Sequence, residues 1–232
     1  MQNKKNVILI SGTSSGIGFE IANLFLKNKN VVVGISRKNR IVHKNYHHLK
    51  IDLSNRDNDI IIKKFFDKKK FRLTGIVHNA GMNIPKKFNE ITKKDYDIVM
   101  RTNLESAFFI TQILIKYLKK NSSIVNISSF SSISGGPFSS HYAISKSGLE
   151  TLTKNLAIFF RGKQVRVNAI SPGLIKTKLA KGYKNHPYFN RVILNRVGKT
   201  IEIAEVVKFL ISDKSSYING QIINVDGGMF FR

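Results

Sequence analysis

The chain has 232 residues, 42% of them hydrophobic, no cysteine and a formal net charge of +25. That length suits one α/β domain with a substantial core, so residues 1–232 are read as a single unit. The absence of cysteine excludes disulfides, thiolate catalysis and cysteine-ligated metals. No continuous apolar run approaches the roughly 18 to 20 residues of a membrane span, and the run at 7–10 is too short for a signal-peptide core, so a soluble cytoplasmic protein is expected. The charge would suit nucleic acid, whose phosphates lysine and arginine neutralise. The lysines, however, fall in short clusters at 4–5, 63–64, 68–70, 93–94 and 119–120, with no nucleic-acid motif beside them. Solvated lysine faces, or attraction to an acidic partner or substrate, are the competing readings. His43, His47 and His48 sit among lysine and asparagine in what reads as a surface connection, so they are taken as solvated side chains and no metal site is expected.

The apolar run at 7–10 leads at once into Ser-Gly-Thr-Ser-Ser-Gly-Ile-Gly at 11–18, and a helical pattern of apolar residues follows. Strand, glycine turn and helix in that order suit a phosphate group: Gly12, Gly16 and Gly18 allow tight turning and close backbone approach, and a helix N-terminus offers unpaired N–H groups. A structural turn without a ligand is the alternative. Residues 31–36 read as the second strand. An acidic residue at its end would accept hydrogen bonds from a free ribose 2′-hydroxyl; this chain has Ser36-Arg37-Lys38 instead. Arg37 is suited to clamp a 2′-phosphate, which favours NADP(H) over NAD(H), unless it is an ordinary solvated side chain.

Asp52 opens Asp-Leu-Ser-Asn, which also reads as a helix entry with a capping carboxylate. Residues 60–71 form an amphipathic helix pattern with Ile61, Ile62, Phe65 and Phe66 turned inward. A strand-like Gly-Ile-Val-His at 75–78 enters Asn79-Ala80-Gly81, with His78 read as structural. Residues 95–119 look like one long helical region containing Asn103, a modest helix former that needs partners if buried.

Residues 129–146 carry the strongest chemical signal. Tyr142 and Lys146 stand four apart at the start of a helical pattern, which puts both on one face. A tyrosine near pKa 10 is a poor acid or base at neutral pH, and a nearby ammonium lowers that pKa. Ser129 ends the strand-like Ser-Ile-Val-Asn-Ile-Ser, where its hydroxyl reaches toward the same substrate oxygen. A tyrosine–lysine pair on a helix surface is the bland alternative. Residues 165–170 form the next strand, ending in Ser171-Pro172-Gly173, a fixed turn where a parallel strand delivers its ligand loop. Residues 178–199, with Tyr183, Pro187 and Tyr188, read as a substrate lid. A helix at 201–212 and a last strand ending in Gly-Gly close the chain.

The ordered set of Ser11-Gly-Thr-Ser-Ser-Gly-Ile-Gly, His-Asn-Ala-Gly at 78–81, Ser129 and Tyr-Ala-Ile-Ser-Lys at 142–146 resembles the classical short-chain dehydrogenase/reductase family. Ser11 replaces the usual threonine and His78 the first asparagine of the family's pattern. The resemblance implies a Rossmann-type fold, a doubly wound parallel sheet of about seven strands with helices on both faces. It implies a catalytic set of Ser129, Tyr142, Lys146 and Asn103, the last holding a water that links Lys146 to solvent. For the cofactor it implies contacts from Gly12, Ser14, Ser15, Gly16, Ile17 and Gly18. Asp52 and Leu53 would then flank the adenine, Asn79, Ala80 and Gly81 the strand end, and Tyr142 and Lys146 the ribose. Pro172, Gly173, Ile175 and Thr177 would meet the nicotinamide side. The connection at 37–50 is shorter than the family's, which leaves its usual helix in question. The lid and the Asn-Val-Asp-Gly-Gly-Met-Phe ending look most like 3-oxoacyl-(acyl-carrier-protein) reductases, which implies a homotetramer, an acidic carrier gripped by Lys120 and Lys163 beside the site mouth, and residues 229–231 buried in a partner. A reductase of a sugar, polyol or other small ketone is the alternative substrate reading. A catalytically silent dinucleotide- or nucleic-acid-binding regulator is the alternative of a different class.

Overall fold

Side chains of the first strand alternate between two separate cores: Val7 and Leu9 join one, Ile8 and Ile10 the other. A strand buried on both faces needs helices on both sides. The computed structural model, which describes residues 6–55, 58–136, 138–177 and 186–231, shows that cover. Seven strands, β1 (Val7–Ser11), β2 (Val31–Ser36), β3 (Tyr46–Lys50), β4 (Leu73–His78), β5 (Leu118–Ile127), β6 (Arg166–Pro172) and β7 (Ile222–Val225), form one sheet. Their order is β3-β2-β1-β4-β5-β6-β7 and every pairing is parallel. The helices are α1 (Gly16–Lys27), α2 (Asp59–Lys69), α3 (Lys93–Met100), α4 (Ser106–Leu114), α5 (Ser131–Ser134), α6 (Ser140–Phe159) and α7 (Thr200–Ile211). Residues of α1 and α7 pack on the Ile8 face, and residues of α2 and α4 on the Leu9 face. Because β1 and β4 are neighbours, the chain winds outward in opposite directions from them, which opens a crevice at their carboxyl ends.

Several elements depart from the sequence pattern. In α2, Ile62 and Phe66 are fully buried but Ile61 is 47% exposed, because one residue along a helix turns the side chain by about 100° and out of the core. Residues 46–50 are a strand rather than a surface connection: β3 runs along β2 at the sheet edge, where polar side chains are tolerated. His48 and His47 are therefore held, not solvated. His48 Nε2 lies 3.0 Å from the Ser36 hydroxyl, and the His47 ring lies 5.3 Å from Phe71. The expected single helix at 95–119 is broken by a π-helical turn, Arg101–Glu105, where the Ser106 N–H reaches back to the Arg101 carbonyl. The helical run Lys93–Tyr117 has the length and mean hydropathy, 1.2, of a membrane span. In this fold Val99, Ala107, Ile110 and Leu114 point into the interior. Met229 is also buried within its own chain, beside Leu174 and Val192, while Phe231 stands 81% exposed; the expectation that 229–231 bury together in a partner does not hold for Met229.

Phe66 is the largest fully buried side chain and its ring lies 5.2 Å from that of Tyr117, so α2 depends on it. Phe66→Ala is expected to cost about 3–5 kcal/mol in urea unfolding, the range for deleting a buried phenyl group. A loss below about 1 kcal/mol would contradict this account of the core.

Candidate active site

The crevice begins where β1 turns into α1. Gly12 and Gly16 have φ of +78° and +60°, a region that disfavours side chains. A Cβ on Gly12 would lie 2.7 Å from Asn79 Nδ2 and 2.9 Å from Ala80 Cα, so the turn must pass bare against the end of β4. The Ser11 hydroxyl accepts from the N–H groups of Asn79 (3.0 Å) and Ala80 (2.9 Å), and Asn79 Nδ2 donates to the Ser11 carbonyl (3.0 Å). These bonds lock the two strand ends together. Helix α1 then starts with no side-chain cap, and Ser14, Ser15, Gly16 and Ile17 line the crevice, as a helix N-terminus that takes an anionic group requires.

A cleft of about 930 Å³ lies over the carboxyl ends of the strands, a volume that accommodates a dinucleotide. It brings together Gly12 and the α1 turn with Arg37, Asp52 and Leu53 on one side. Asn79, Ala80 and Gly81 line it at the centre, and Pro172, Gly173, Ile175 and Thr177 across from them. Ser129, Tyr142 and Lys146 line it too. Two residues expected there do not line it. Gly18 sits behind the turn, where any Cβ would collide with Asn79 Nδ2 and the Gly12 carbonyl, so it serves close packing of α1 against the strands. Asn103 is 1% exposed inside the π turn. Its Oδ1 accepts from the Met82 N–H (2.8 Å), and its Nδ2 donates to the Met82 carbonyl and to the Ser145 hydroxyl (3.0 Å each).

Asp52 accepts from the Ser54 N–H (3.0 Å) and hydroxyl (2.8 Å), a turn motif as well as a cleft wall. Burial pushes its carboxyl up, but the two Ser54 bonds and the Arg37 charge outweigh it and hold the group below the usual carboxylate range. Arg37 is exposed at the rim. The far end of the cleft is walled by residues the sequence did not single out, among them Met82, Phe130, Ser134, Phe138 and His186, together with Pro187 and Tyr188 of the expected lid. Phe130 lies 5.7 Å from Tyr188 and 6.1 Å from Phe230, and the Arg191 guanidinium stands 5.5 Å from the Tyr188 ring. Tyr183 and the rest of 178–185 fall outside the described residues.

Tyr142 and Lys146 occupy one face of α6 as their spacing predicts. Lys146 is 3% exposed; its Nζ donates to the Ile127 carbonyl (2.8 Å) at the end of β5 and lies 5.6 Å from the Tyr142 ring centre. Burial brings Lys146 down to about 8. Burial also pushes the Tyr142 phenol up, opposed only by its hydrogen bond with Ser129. The expected lowering of the phenol by Lys146 is therefore not the dominant effect in this geometry, because the ammonium is turned toward a backbone carbonyl and both groups lie in a poorly solvated place. A phenol that keeps its proton, on a cleft wall it shares with the Ser129 hydroxyl, can donate to a carbonyl oxygen.

Lys120 and Lys163 stand elsewhere. They flank a backbone bond from the Asn121 N–H to the Gln164 carbonyl (2.7 Å), so they share one corner at the amino-terminal edge of the sheet. Six residues separate Ser123, in register with Gly75, from Ser129, or roughly 20 Å of strand at ~3.3 Å per residue. That corner is not beside this chain's own cleft.

A parallel sheet of this order, with a glycine turn and a Ser-Tyr-Lys wall at its switch point, defines an NAD(P)-dependent oxidoreductase. Comparison with known proteins agrees. The family described as Enoyl-(Acyl carrier protein) reductase matches residues 12–230. The chain is 36% identical to a 3-oxoacyl-(acyl-carrier-protein) reductase of Thermotoga maritima, over 99% of both chains. Among solved structures it resembles the aldohexose dehydrogenase of Thermoplasma acidophilum, with a TM-score of 0.88 and 28% identity over 97% of this chain and 94% of that one. It also resembles a 4-hydroxyisoleucine dehydrogenase in complex with NADH, with a TM-score of 0.90 and 26% identity over 97% and 98%. The chain belongs to the short-chain dehydrogenase/reductase family.

His78, at the end of β4, is 4% exposed and its Nε2 lies 2.8 Å from the Thr111 hydroxyl. Burial lowers its pKa to about 3, against about 6.5 in an unfolded chain. The folded state binds fewer protons in that window, so the stability His78 contributes is complete above pH ~6.5 and is lost as pH falls toward about 3. Urea unfolding at pH 7 and pH 5 should show a drop that His78→Asn reduces by about 1.4 kcal/mol per pH unit below ~6.5. Identical pH dependence in the two proteins would contradict a neutral buried His78.

Proposed function

We propose that the protein is an NADPH-dependent reductase of 3-oxoacyl thioesters carried by an acyl carrier protein, working in the cytoplasm on fatty-acid synthesis. The observation that carries the reading is the meeting of Ser129, Tyr142 and Lys146 on the wall of a cleft whose other walls fit a dinucleotide. The glycine turn holds the uncapped N-terminus of α1 at the cleft, where its free N–H groups suit a pyrophosphate, and Arg37 at the rim supports recognition of a 2′-phosphate. The bound cofactor supplies the hydride. Tyr142 donates its proton to the substrate oxygen, Ser129 hydrogen-bonds the same oxygen, and Lys146 fixes the ribose and stabilises the phenolate that Tyr142 becomes. Asn103, whose side-chain amide is engaged with Met82 and Ser145, is assigned the water that links Lys146 to solvent and resupplies the proton.

The thioester substrate is supported by likeness to the Thermotoga maritima reductase over nearly the whole of both chains. An acidic carrier fits the basic corner at Lys120 and Lys163. That corner lies away from this chain's own cleft, so docking there requires a second copy whose cleft stands beside it. A homotetramer is supported by Phe108, Phe109, Ile158 and Phe159, which stand 44–74% exposed on α4 and α6. Reduction of a free sugar or small ketone is the second reading, favoured by likeness to the aldohexose dehydrogenase fold.

Tyr142→Phe should lower turnover by about 10²–10⁴-fold, the worth of a positioned general acid, while NADPH affinity, read by fluorescence titration, changes little. Turnover equal to wild type would remove Tyr142 from the chemistry. With acetoacetyl thioesters, turnover should be faster on the carrier protein than on a small thiol, and rising salt should erase that advantage. Equal rates at all salt concentrations would contradict the lysine docking corner, and reaction of small ketones alone would favour the second reading.

A further inference from the structure

Glu150 sits on α6 one turn beyond Lys146 and half-buried behind the loop that carries Ser129. Its Oε1 accepts from the Ser128 hydroxyl at 2.8 Å and from the Ser132 hydroxyl at 2.6 Å. One carboxylate oxygen thus holds the residue immediately before Ser129 and the residue three after it. The same two hydroxyls reach further into the site. Ser128 Oγ lies 3.3 Å from the Lys146 carbonyl, and Ser132 Oγ 2.7 Å from the Ser129 carbonyl.

The backbone of this segment is anchored independently on its other side. The Ser128 N–H donates to the Ile170 carbonyl (2.7 Å) and the Phe130 N–H to the Pro172 carbonyl (3.0 Å), so β6 fixes the path of the chain. Those bonds leave the rotation of the loop toward α6 undetermined. That rotation decides where the Ser129 hydroxyl stands, which accepts from the Ser131 N–H (3.1 Å) and lines the same cleft wall as Tyr142. Ser147 on α6 donates a long bond to the Ser132 carbonyl (3.3 Å), and the shorter, charged tie comes from Glu150, whose carboxylate joins the loop to the helix that carries Tyr142 and Lys146. A carboxylate accepting two hydroxyl bonds is a strong clamp, because charge-assisted bonds are shorter and stiffer than neutral ones.

Building on the proposed reduction, we infer that Glu150 is a positioning residue that fixes the Ser129 hydroxyl against Tyr142 by clamping Ser128 and Ser132. A misplacement of about 1 Å at a reacting group costs on the order of 10²-fold. Glu150→Ala should therefore lower kcat by about 10–100-fold, with NADPH affinity within about twofold of wild type. Glu150→Gln, which keeps an acceptor oxygen, should recover most of the loss. In a Ser129→Ala background the further change Glu150→Ala should cost less than about threefold, because a residue acting through Ser129 has nothing left to position.

A Glu150→Ala enzyme as active as wild type, a Glu150→Gln enzyme as impaired as Glu150→Ala, or equal losses with and without Ser129 would each overturn the inference. If Ser129→Ala is itself fully active, the proposed reaction and the inference fall together; a normal Ser129 loss with additive Glu150 effects overturns the inference alone. A crystal structure of Glu150→Ala tests the geometry without any substrate. The Ser129 hydroxyl should move relative to the Tyr142 hydroxyl, and an unmoved loop would contradict the clamp.

Discussion

No side chain fits at Gly12, where the chain leaves β1 for α1, and the rest of the site depends on that restriction. Gly12 passes so near Asn79 and Ala80 that even a methyl group would force the turn away from β4. Gly18 repeats the restriction six residues later, in the first turn of α1, against Gly12 itself. Held this close, α1 points its N-terminus into the crevice between strands that wind in opposite directions. The positive end of the helix and the bare backbone then face the same space. Ser11 keeps the approach from reopening, since its hydroxyl accepts from two N–H groups of the β4 end.

On the other side of the crevice the limiting factor is charge rather than size. Lys146 is almost wholly buried, and an ammonium in such a place is stable only with an acceptor. The Ile127 carbonyl at the end of β5 provides one, which fixes α6 against the sheet at the level of the cleft. Tyr142, four residues earlier, is carried to the wall by the same helix. Ser129 is brought to it by the loop leaving β5, and Glu150 joins that loop to the helix. The wall is thus built from one strand end and one helix, each tied to the other by polar bonds in an apolar surround, where such bonds are strongest.

What could be read in the chain was what local pattern encodes. The strand–glycine–helix opening, the i, i+4 placement of Tyr142 and Lys146, and the turn at Pro172-Gly173 depend on residues near one another in sequence. The structure places the first two as read, whereas Ser171 and Pro172 continue β6 alongside β7 in place of the expected turn. Features that depend on which distant segments meet were not legible. The strand β3 was hidden because Tyr-His-His-Leu-Lys has no apolar alternation, and only its pairing with β2 makes it a strand. The bond from His48 to Ser36 and the Glu150 clamp span 12 to 22 residues and follow from tertiary packing alone. Lys120 and Lys163 were placed at the site mouth by likeness, whereas the direction of β5 puts them at the opposite edge. The direction of the Tyr142 shift is hidden for a related reason: sequence spacing reveals a neighbouring charge but not the burial that pushes the phenol up.

The central claim is that this cleft delivers a hydride and a proton to one carbonyl group. The most direct measurement is isotope transfer: incubate the protein with NADPH deuterated at the nicotinamide C4, separately in each of its two stereoisomers, and acetoacetyl carrier protein, and analyse the product by mass spectrometry. The account predicts a 3-hydroxy product carrying one deuterium on the former carbonyl carbon, from one stereoisomer only, since the cleft holds the nicotinamide in a single orientation. Product without deuterium from either stereoisomer, or equal incorporation from both, would contradict it.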